Sequence, residues 1–287
     1  MKHAYLIIAH NEFTLLQYLI KALDDERNDI YVHFDKKVTD IPKLMAKHAG
    51  LYLTKERVDV RWGDVSVVEA EYVLFEAAAK RARYGYYHLL SGVDMPLKGQ
   101  EEIHLFFNAN QGKEFIGFSQ YDYAGEVERK VQKYHLFPKD FKFNGGLVSL
   151  CKKALRFLFI RVQNIVGYKR HRSTAFKKGT QWVSVTHDFV EYLCIKKEEV
   201  MKIYHHTFCS DEIYKQTLCW HSTFKSSLYD LEDEGTGCMR KIGWANGQLS
   251  DWTEKDYEAL IQSKALFARK FNSKHIEVVH QIMKELN

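Results

Sequence analysis

AYLIIAHNE (residues 4–12) and NDIYVHFDKK (residues 28–37) are the stretches whose reading decides the fold. Tyr5–Ala9 is a short unbroken apolar run, as expected of a strand covered on both faces. It ends at His10-Asn11, and apolar residues then recur at helical spacing at Phe13, Leu16, Leu19 or Ile20, and Leu23. Asn28-Asp29 reads as punctuation, and Ile30–Phe34 as a second strand closed by Asp35. Strand, helix, strand at this spacing is a parallel crossover, so the class is α/β. Ligands of such sheets bind beyond the carboxyl ends of the strands, here at His10-Asn11 and Asp35. No G-x-G-x-x-G follows the first strand and no G-x-x-x-x-G-K occurs, which disfavours a dinucleotide or a P-loop phosphate. Asp35 has two readings, a hydrogen-bonding partner of a ribose or uracil and a turn or cap residue. His33 and Asp35 share a strand face, but two ligands make a weak metal signal, and a packed histidine is the favoured reading.

Further along, Val58–Trp62 is a strand candidate broken by Gly63-Asp64, after which Ser66 can cap a helix through Val67, Ala70, Val73, Leu74, Ala77 and Ala78. Tyr86–Leu90 is another strand and empties into SGVDMPL (residues 91–97), where Gly92 permits a turn and Asp94 points beyond the sheet edge. Glu114–Phe118 and Gly179–Val185 also carry strand pattern. Ser210 reads as the N-cap of a helix with Asp211 and Glu212 in its first turn. Glu212 there is either a residue that favours the helix dipole or a general base facing a cleft.

The 287 residues are 46% hydrophobic, 28% charged and 14% aromatic, which excludes disordered, collagenous and coiled-coil classes. No apolar run approaches the roughly 20 residues of a membrane span. The apolar run near Met1 is too short for a signal peptide, so the expectation is a non-secreted chain. Five cysteines with no C-x-x-C argue against a disulfide framework or zinc ribbon and for reduced, mostly buried thiols. The net charge of +5 suits an anionic substrate or membrane surface without demanding nucleic acid. That charge is local: between Phe141 and His187 there are ten Lys or Arg and no Asp or Glu. Within it, Lys152–Tyr168 has the pattern of an amphipathic helix with Leu155, Leu158, Phe159, Val162 and Val166 on one face. One reading is a surface for anionic lipid headgroups, a lipid-linked pyrophosphate or a polyanion. The other is a helix docked on the sheet with a solvated basic face.

Eight motifs in order now carry a resemblance: AYLIIAHNE, NDIYVHFDKK, RWGDVSVVEA (61–70), HLLSGVDMPLKG (88–99), KGTQWVSVT (178–186), SDEIYKQT (210–217), RKIGW (240–244) and LFARKF (266–271). Together they resemble the core-2/I-branching β-1,6-N-acetylglucosaminyltransferase family (glycosyltransferase family 14), which includes the protein xylosyltransferases. The resemblance implies a GT-A type fold, a Rossmann-like, mostly parallel central sheet flanked by helices. It implies one catalytic domain over 1–287, with 1–120 as the nucleotide-binding half and 121–287 as the acceptor and catalytic half, ending in a diphosphate-binding segment. It also implies an inverting transfer from a UDP-sugar, metal-independent and without a cofactor. By matching positions Glu212 is the catalytic base. Ile8, Asp35, Trp62 and Gly63 bind the donor nucleotide, and Arg240 and Lys270 hold the diphosphate. Asp94, Gln181, Trp182 and Asp211 fall in the sugar and acceptor region.

The chemistry is consistent with that assignment. Direct displacement needs one carboxylate for the attacking hydroxyl and no protein nucleophile. The departing UDP gains charge, which GT-A enzymes often meet with a metal held by Asp-x-Asp. No Asp in this chain has another two residues on, so something else must supply the positive charge, and Arg240 and Lys270, which the resemblance places at the diphosphate, can do this. The chain looks like a bacterial-type member, expected in the cytoplasm or peripherally at the inner membrane face. The expected donor sugar is N-acetylglucosamine, with UDP-xylose as the alternative. The expected acceptor is a glycan, free or lipid-linked. The basic 141–187 segment is a candidate for contact with anionic membrane, with Lys169, Arg170 and Arg172 as candidate contacts. No nucleic-acid partner is expected. The reading from another class is a non-catalytic glycan- or polyanion-binding homologue, for which Glu212 would be dispensable.

Overall fold

The computed structural model describes residues 1–121, 125–142, 145–245 and 247–286. Ten strands and ten α-helices are present among the described residues. The strands are β1 (His3–Ala9), β2 (Asn28–Phe34), β3 (Gly50–Leu53), β4 (Tyr86–Ser91), β5 (Asp94–Pro96), β6 (Ser184–Thr186), β7 (Arg240–Ile242), β8 (Trp244–Ala245), β9 (Gln248–Leu249) and β10 (Phe267–Arg269). The helices are α1 (Phe13–Ala22), α2 (Ser66–Arg81), α3 (Gln100–Ala109), α4 (Leu147–Ile165), α5 (His187–Ile195), α6 (Lys197–Tyr204), α7 (Tyr214–Trp220), α8 (Glu234–Cys238), α9 (Tyr257–Ile261) and α10 (Ile276–Glu285).

The central sheet has the order β3-β2-β1-β4-β6. Its first four strands are parallel, and β6 alone runs antiparallel, against β4. This is the α/β, mostly parallel arrangement that the strand and helix pattern predicts, and it agrees with the mostly parallel central sheet that the resemblance implies. All seven residues of β1 are buried because side chains alternate into two cores. Ala4, Leu6 and Ile8 pack with Val68, Leu74 and Phe75 of α2 and Phe189 of α5. Tyr5, Ile7 and Ala9 pack with Leu16 and Leu19 of α1, Phe107 of α3 and Val279 and Ile282 of α10. A strand covered on both faces loses the polar alternation of a half-solvated one, which is why residues 5–9 are continuously apolar. A second sheet, β5-β10-β7, ties the far C-terminal segment to the loop after β4.

Several expected boundaries are corrected. Asn28 and Asp29 are not punctuation but the first, buried residues of β2. The Asn28 amide reaches Leu23 O and Gln100, and Asp29 accepts from Lys2 and Tyr84. Val58–Trp62 is not a strand: Val58 N donates to His33 Nε2, so a side chain takes the place of a ladder partner. That bond makes His33 a packed, hydrogen-bonded residue, as expected. The outer neighbour of β2 is instead β3, of which Gly50, Leu51 and Tyr52 are half-buried and Leu53 is exposed. Glu114–Phe118 makes isolated bridges to Leu228 and Ser184 rather than a strand, and the pattern over 179–185 yields only β6. Ser66 lies inside α2, and the carboxylate that receives its N–H is Asp64. Ser210 is not an N-cap: Ser210–Glu212 is one 3₁₀ turn entered through Cys209 at φ 51°. All five cysteines are free, with Cys209, Cys219 and Cys238 buried, Cys194 half-buried and Cys151 exposed.

Gly117 and Gly179 make the tightest backbone approach, since a Cβ on Gly179 would lie 1.8 Å from Gly117 O. The segment from 179 to 182 can therefore lie flat against 115–118 only without a side chain. Gly179→Ala is expected to lower stability by about 1–3 kcal/mol, the range for overpacking a fitted site. Urea unfolding of the two proteins measures it, and an unchanged midpoint would show that the approach is slack.

Candidate active site

The cavity that holds Glu212 lies against the C-terminal part of the second sheet and has a volume of about 570 Å³. Its walls come from the Trp62-Gly63 loop, the 178–182 segment, the Cys209–Glu212 turn, α8, Arg240 of β7, and Trp244 and Leu249 of the paired β8 and β9. Backbone bonds fasten these segments to one another. Gly179 N donates to Glu212 O, Cys209 N to Gly63 O, and Phe208 N to Lys130 O. Gly63 has φ +78°, and a Cβ there would meet the Phe208 ring at 2.5 Å, so only glycine fits.

The two adjacent acids have different surroundings. Glu212 Oε2 receives Lys130 Nζ at 2.8 Å, and the same ammonium lies 2.8 Å from Glu126 Oε1. Burial pulls the Lys130 pKa down, but the charge of Glu212 and the bonds to Glu126 and Glu212 outweigh it and raise it overall. Asp211 has an oxygen, Oδ1, shut away from solvent with no hydrogen-bond partner. Burial pushes its pKa up to about 7, helped by the charges of Glu212 and Glu71 and opposed by Lys215. Beneath them lies a fully buried pair in which Lys215 Nζ donates to Glu71 Oε2. Tyr214 donates to the same oxygen, and Gln181 Nε2 donates to Glu71 Oε1 at 2.8 Å.

Arg240 lines the cavity as a buried cation without a carboxylate ion-pair partner among the described residues. Its guanidinium donates to Cys238 O at 2.6 Å, Val183 O at 3.0 Å and Ser184 Oγ at 2.9 Å, and it lies 4.5 Å from the centre of the Phe267 ring. Nε has no partner. Burial lowers its pKa to about 10, so it stays charged at neutral pH. Arg269, also in the wall, sits 4.2 Å over the Trp182 ring and donates to Asp94 Oδ1 at 2.7 Å.

Of the sequence candidates, Trp62, Gly63, Gln181, Trp182, Asp211, Glu212 and Arg240 meet at this cavity. Ile8, Asp35, Asp94 and Lys270 lie outside its lining. Ile8 and Asp35 sit at the carboxyl ends of β1 and β2. The Asp35 carboxylate accepts from Lys37 N and pairs with Lys37 Nζ at 2.6 Å. Asp94 does not point freely beyond the sheet, because Ser91 N, Ser91 Oγ and Arg269 occupy its oxygens. Lys270 turns to Asp251, 3.1 Å away. Sequence reasoning passed over Lys130, Arg269 and the exposed Trp244. The last two were within the quoted LFARKF and RKIGW motifs, whereas Lys130 had only its spacing of four from Glu126 as a signal. Among the described residues no three His, Cys, Asp or Glu side chains gather as a metal site.

An α/β sheet thus leads into a cavity whose wall carries a paired glutamate and a buried arginine with no ion-paired carboxylate among the described residues. The family model described as Core-2/I-Branching enzyme matches residues 3–277, and the chain belongs to that family of glycosyltransferases. Xylosyltransferase 2 of Rattus norvegicus is 21% identical over 303 residues, covering 98% of this chain and 33% of the relative. Xylosyltransferase oxt of Drosophila pseudoobscura pseudoobscura is 23% identical over 277 residues, covering 88% of this chain and 29% of the relative. This chain thus spans about a third of the length of the curated relatives it matches. The crystal structure of mouse xyloside xylosyltransferase 1, apo form, is similar with a TM-score of 0.40 and 11% identity, over 96% of this chain and 99% of that one.

The raised Asp211 pKa has a consequence for stability. An unfolded aspartate titrates in the ordinary carboxylate range, so folding retains its proton up to about pH 7. The stability this provides is complete below the ordinary range and is lost as pH rises through about 7. Asp211→Asn carries no such charge. Its melting temperature relative to the parent is expected to rise between about pH 5 and about pH 8. Glu114, raised to about 7 by its own burial, contributes equally to both proteins. Parallel melting curves across that window would refute the assignment.

Proposed function

We propose that this chain transfers a sugar from a UDP-sugar to a hydroxyl of a glycan acceptor with inversion, using Glu212 as general base. The observation that carries the reading is the juxtaposition of Glu212 with the buried, carboxylate-free Arg240 around one cavity. A buried cation that no carboxylate touches, with the charge of Asp94 acting on it only from a distance, is stabilised when an anion binds beside it. A diphosphate is such an anion, and it is the group on which charge develops during transfer. In the proposed step the acceptor oxygen bonds to the anomeric carbon, the bond from that carbon to the UDP oxygen breaks, and the hydroxyl proton passes to Glu212. Lys130 holds the carboxylate in place until the acceptor arrives. Arg240 faces the departing diphosphate. Lys270 joins it in this reading by exchanging Asp251 for the diphosphate, and Arg269 adds a further cation to the wall. The uracil and ribose are assigned to the strand ends near Ile8 and Asp35, with Trp62 and Gly63 between them and the acid. Asp94 acts on the sugar region through Arg269, while Gln181, Trp182 and Asp211 face it directly.

The donor sugar is proposed to be N-acetylglucosamine. The names of the relatives favour xylose as the second reading. The reaction is proposed to run without a metal, because side-chain cations take the place of an Asp-x-Asp ion. The acceptor is proposed to be a free or lipid-linked glycan.

Glu212→Gln is expected to lower transfer by about 10²–10⁴-fold, the usual contribution of a general base, while UDP still binds by calorimetry. The parent enzyme should keep its UDP-releasing activity in EDTA. Parent-like transfer by the Gln variant would remove Glu212 from the base role. Activity lost in EDTA and restored by Mn²⁺ would replace the cationic clamp with a metal.

A further inference from the structure

Helix α4 is mounted with its polar side inward. Gln163 is its one buried residue among the described residues, and it is locked to Tyr134: Nε2 donates to Tyr134 O, and Oε1 accepts from Tyr134 N, both at 2.8 Å. Arg156 donates to Leu136 O, Phe137 O and Asp140 O, and Lys152 pairs with Asp140 at 2.7 Å. The opposite side presents Leu147, Leu150, Leu155, Phe157, Leu158, Val162 and Ile165 to solvent, with Phe157 62% and Ile165 83% exposed. This corrects the reading of a helix docked through its apolar face with its basic face solvated. A helix of a water-soluble surface ordinarily has the reverse arrangement.

We infer that the apolar face of α4 is an interfacial anchor that lies in the headgroup plane of an anionic bilayer. Charge decides between a membrane and a second copy of the chain as the occupant. The segment 141–187 has ten Lys or Arg and no acid. Lys142, Lys153, Arg161 and Arg172 have no carboxylate partner among the described residues. A two-fold contact would set these cations against their own copies, whereas anionic lipid complements them. The helix is about 28 Å long at 1.5 Å per residue and lies on the protein surface. No described helix is long and apolar enough to cross a membrane, so the geometry is that of lying on the bilayer. The anchor is also continuous with the cavity. Arg156 sits 4.5 Å over the Phe141 ring, Phe141 packs on Phe208 at 4.6 Å, and Phe208 fills the space beside Gly63 in the cavity wall. Docking therefore holds the mouth of the site near the lipid surface. Only this last consequence rests on the transferase reading, for which it favours a lipid-carried acceptor.

The test is co-sedimentation of the full chain with vesicles, without donor, comparing the parent with the double variant Leu158→Asp, Ile165→Asp. Both positions are exposed, so the fold is expected to survive, and melting curves check it. The parent should bind phosphatidylcholine vesicles containing about 30% phosphatidylglycerol at least tenfold more tightly than pure phosphatidylcholine, and high salt should weaken the binding. The double variant should lose about tenfold or more on the anionic vesicles. UDP release with a soluble acceptor and no vesicles should be unchanged in that variant. Equal vesicle binding by parent and variant would overturn the anchor. So would no binding by either, or a parent dimer that the substitutions dissociate without any lipid affinity. Vesicle binding as expected in a protein that releases no UDP would uphold the anchor and count against the transferase reading alone.

Discussion

The guanidinium of Arg240 is the constraint around which the second half of the molecule is arranged. It is buried beside the Phe267 ring and has two backbone carbonyls and a serine hydroxyl as acceptors. None of these neutralises its charge. Hydrogen bonds to neutral acceptors orient a buried cation but leave much of its desolvation cost unanswered. Three separate pieces of chain are needed to hold it there: β7 itself, β6 through Ser184, and β10 through Phe267. The small β5-β10-β7 sheet is thus the scaffold that keeps a positive charge at the cavity wall. The same sheet brings Arg269 over Trp182 and against Asp94.

The carboxylates form a second layer of the same electrostatic problem. Glu71 and Lys215 satisfy each other out of contact with water, and Tyr214 and Gln181 complete the hydrogen bonding around the acid. Glu212 is satisfied at the cavity by the ammonium of Lys130. Asp211, between the two, is held toward its neutral form by its own burial and by both neighbours. The three acids thus have three different sets of partners: a buried lysine, a cavity lysine and, for Asp211 Oδ1, none among the described residues.

How much of this was legible in the sequence follows from the range of the interactions. The buried sheet was legible because burial on both faces writes itself as a continuous apolar run in β1 and as mostly apolar runs, each interrupted by one histidine, in Ile30–Phe34 of β2 and Tyr86–Leu90 of β4. Motif matches placed Glu212, Trp62, Gly63, Gln181, Trp182, Asp211 and Arg240, and these residues do meet at one cavity. Long-range pairing was not legible. That Asp94 is consumed by Arg269, 175 residues away, and that Lys130 reaches Glu212 across 82, leaves no periodic trace in either neighbourhood. Short strands such as β3 and β7 lack the length to show alternation. The orientation of α4 was visible as amphipathicity, but a helical pattern does not say which face turns inward. The hydrogen bonds of Arg156 and Gln163 decide that.

The account comes down to whether the cavity holds a diphosphate by side-chain charge. Calorimetric titration with UDP and with uridine, both in EDTA, measures this with no assumption about the donor sugar or the acceptor. Arg240 and its neighbouring cations should give UDP an affinity on the order of 10²-fold above that of uridine, with the difference shrinking as salt is added. Equal affinities for the two ligands in EDTA, or a preference for UDP that arises only when a divalent ion is supplied, would contradict the account.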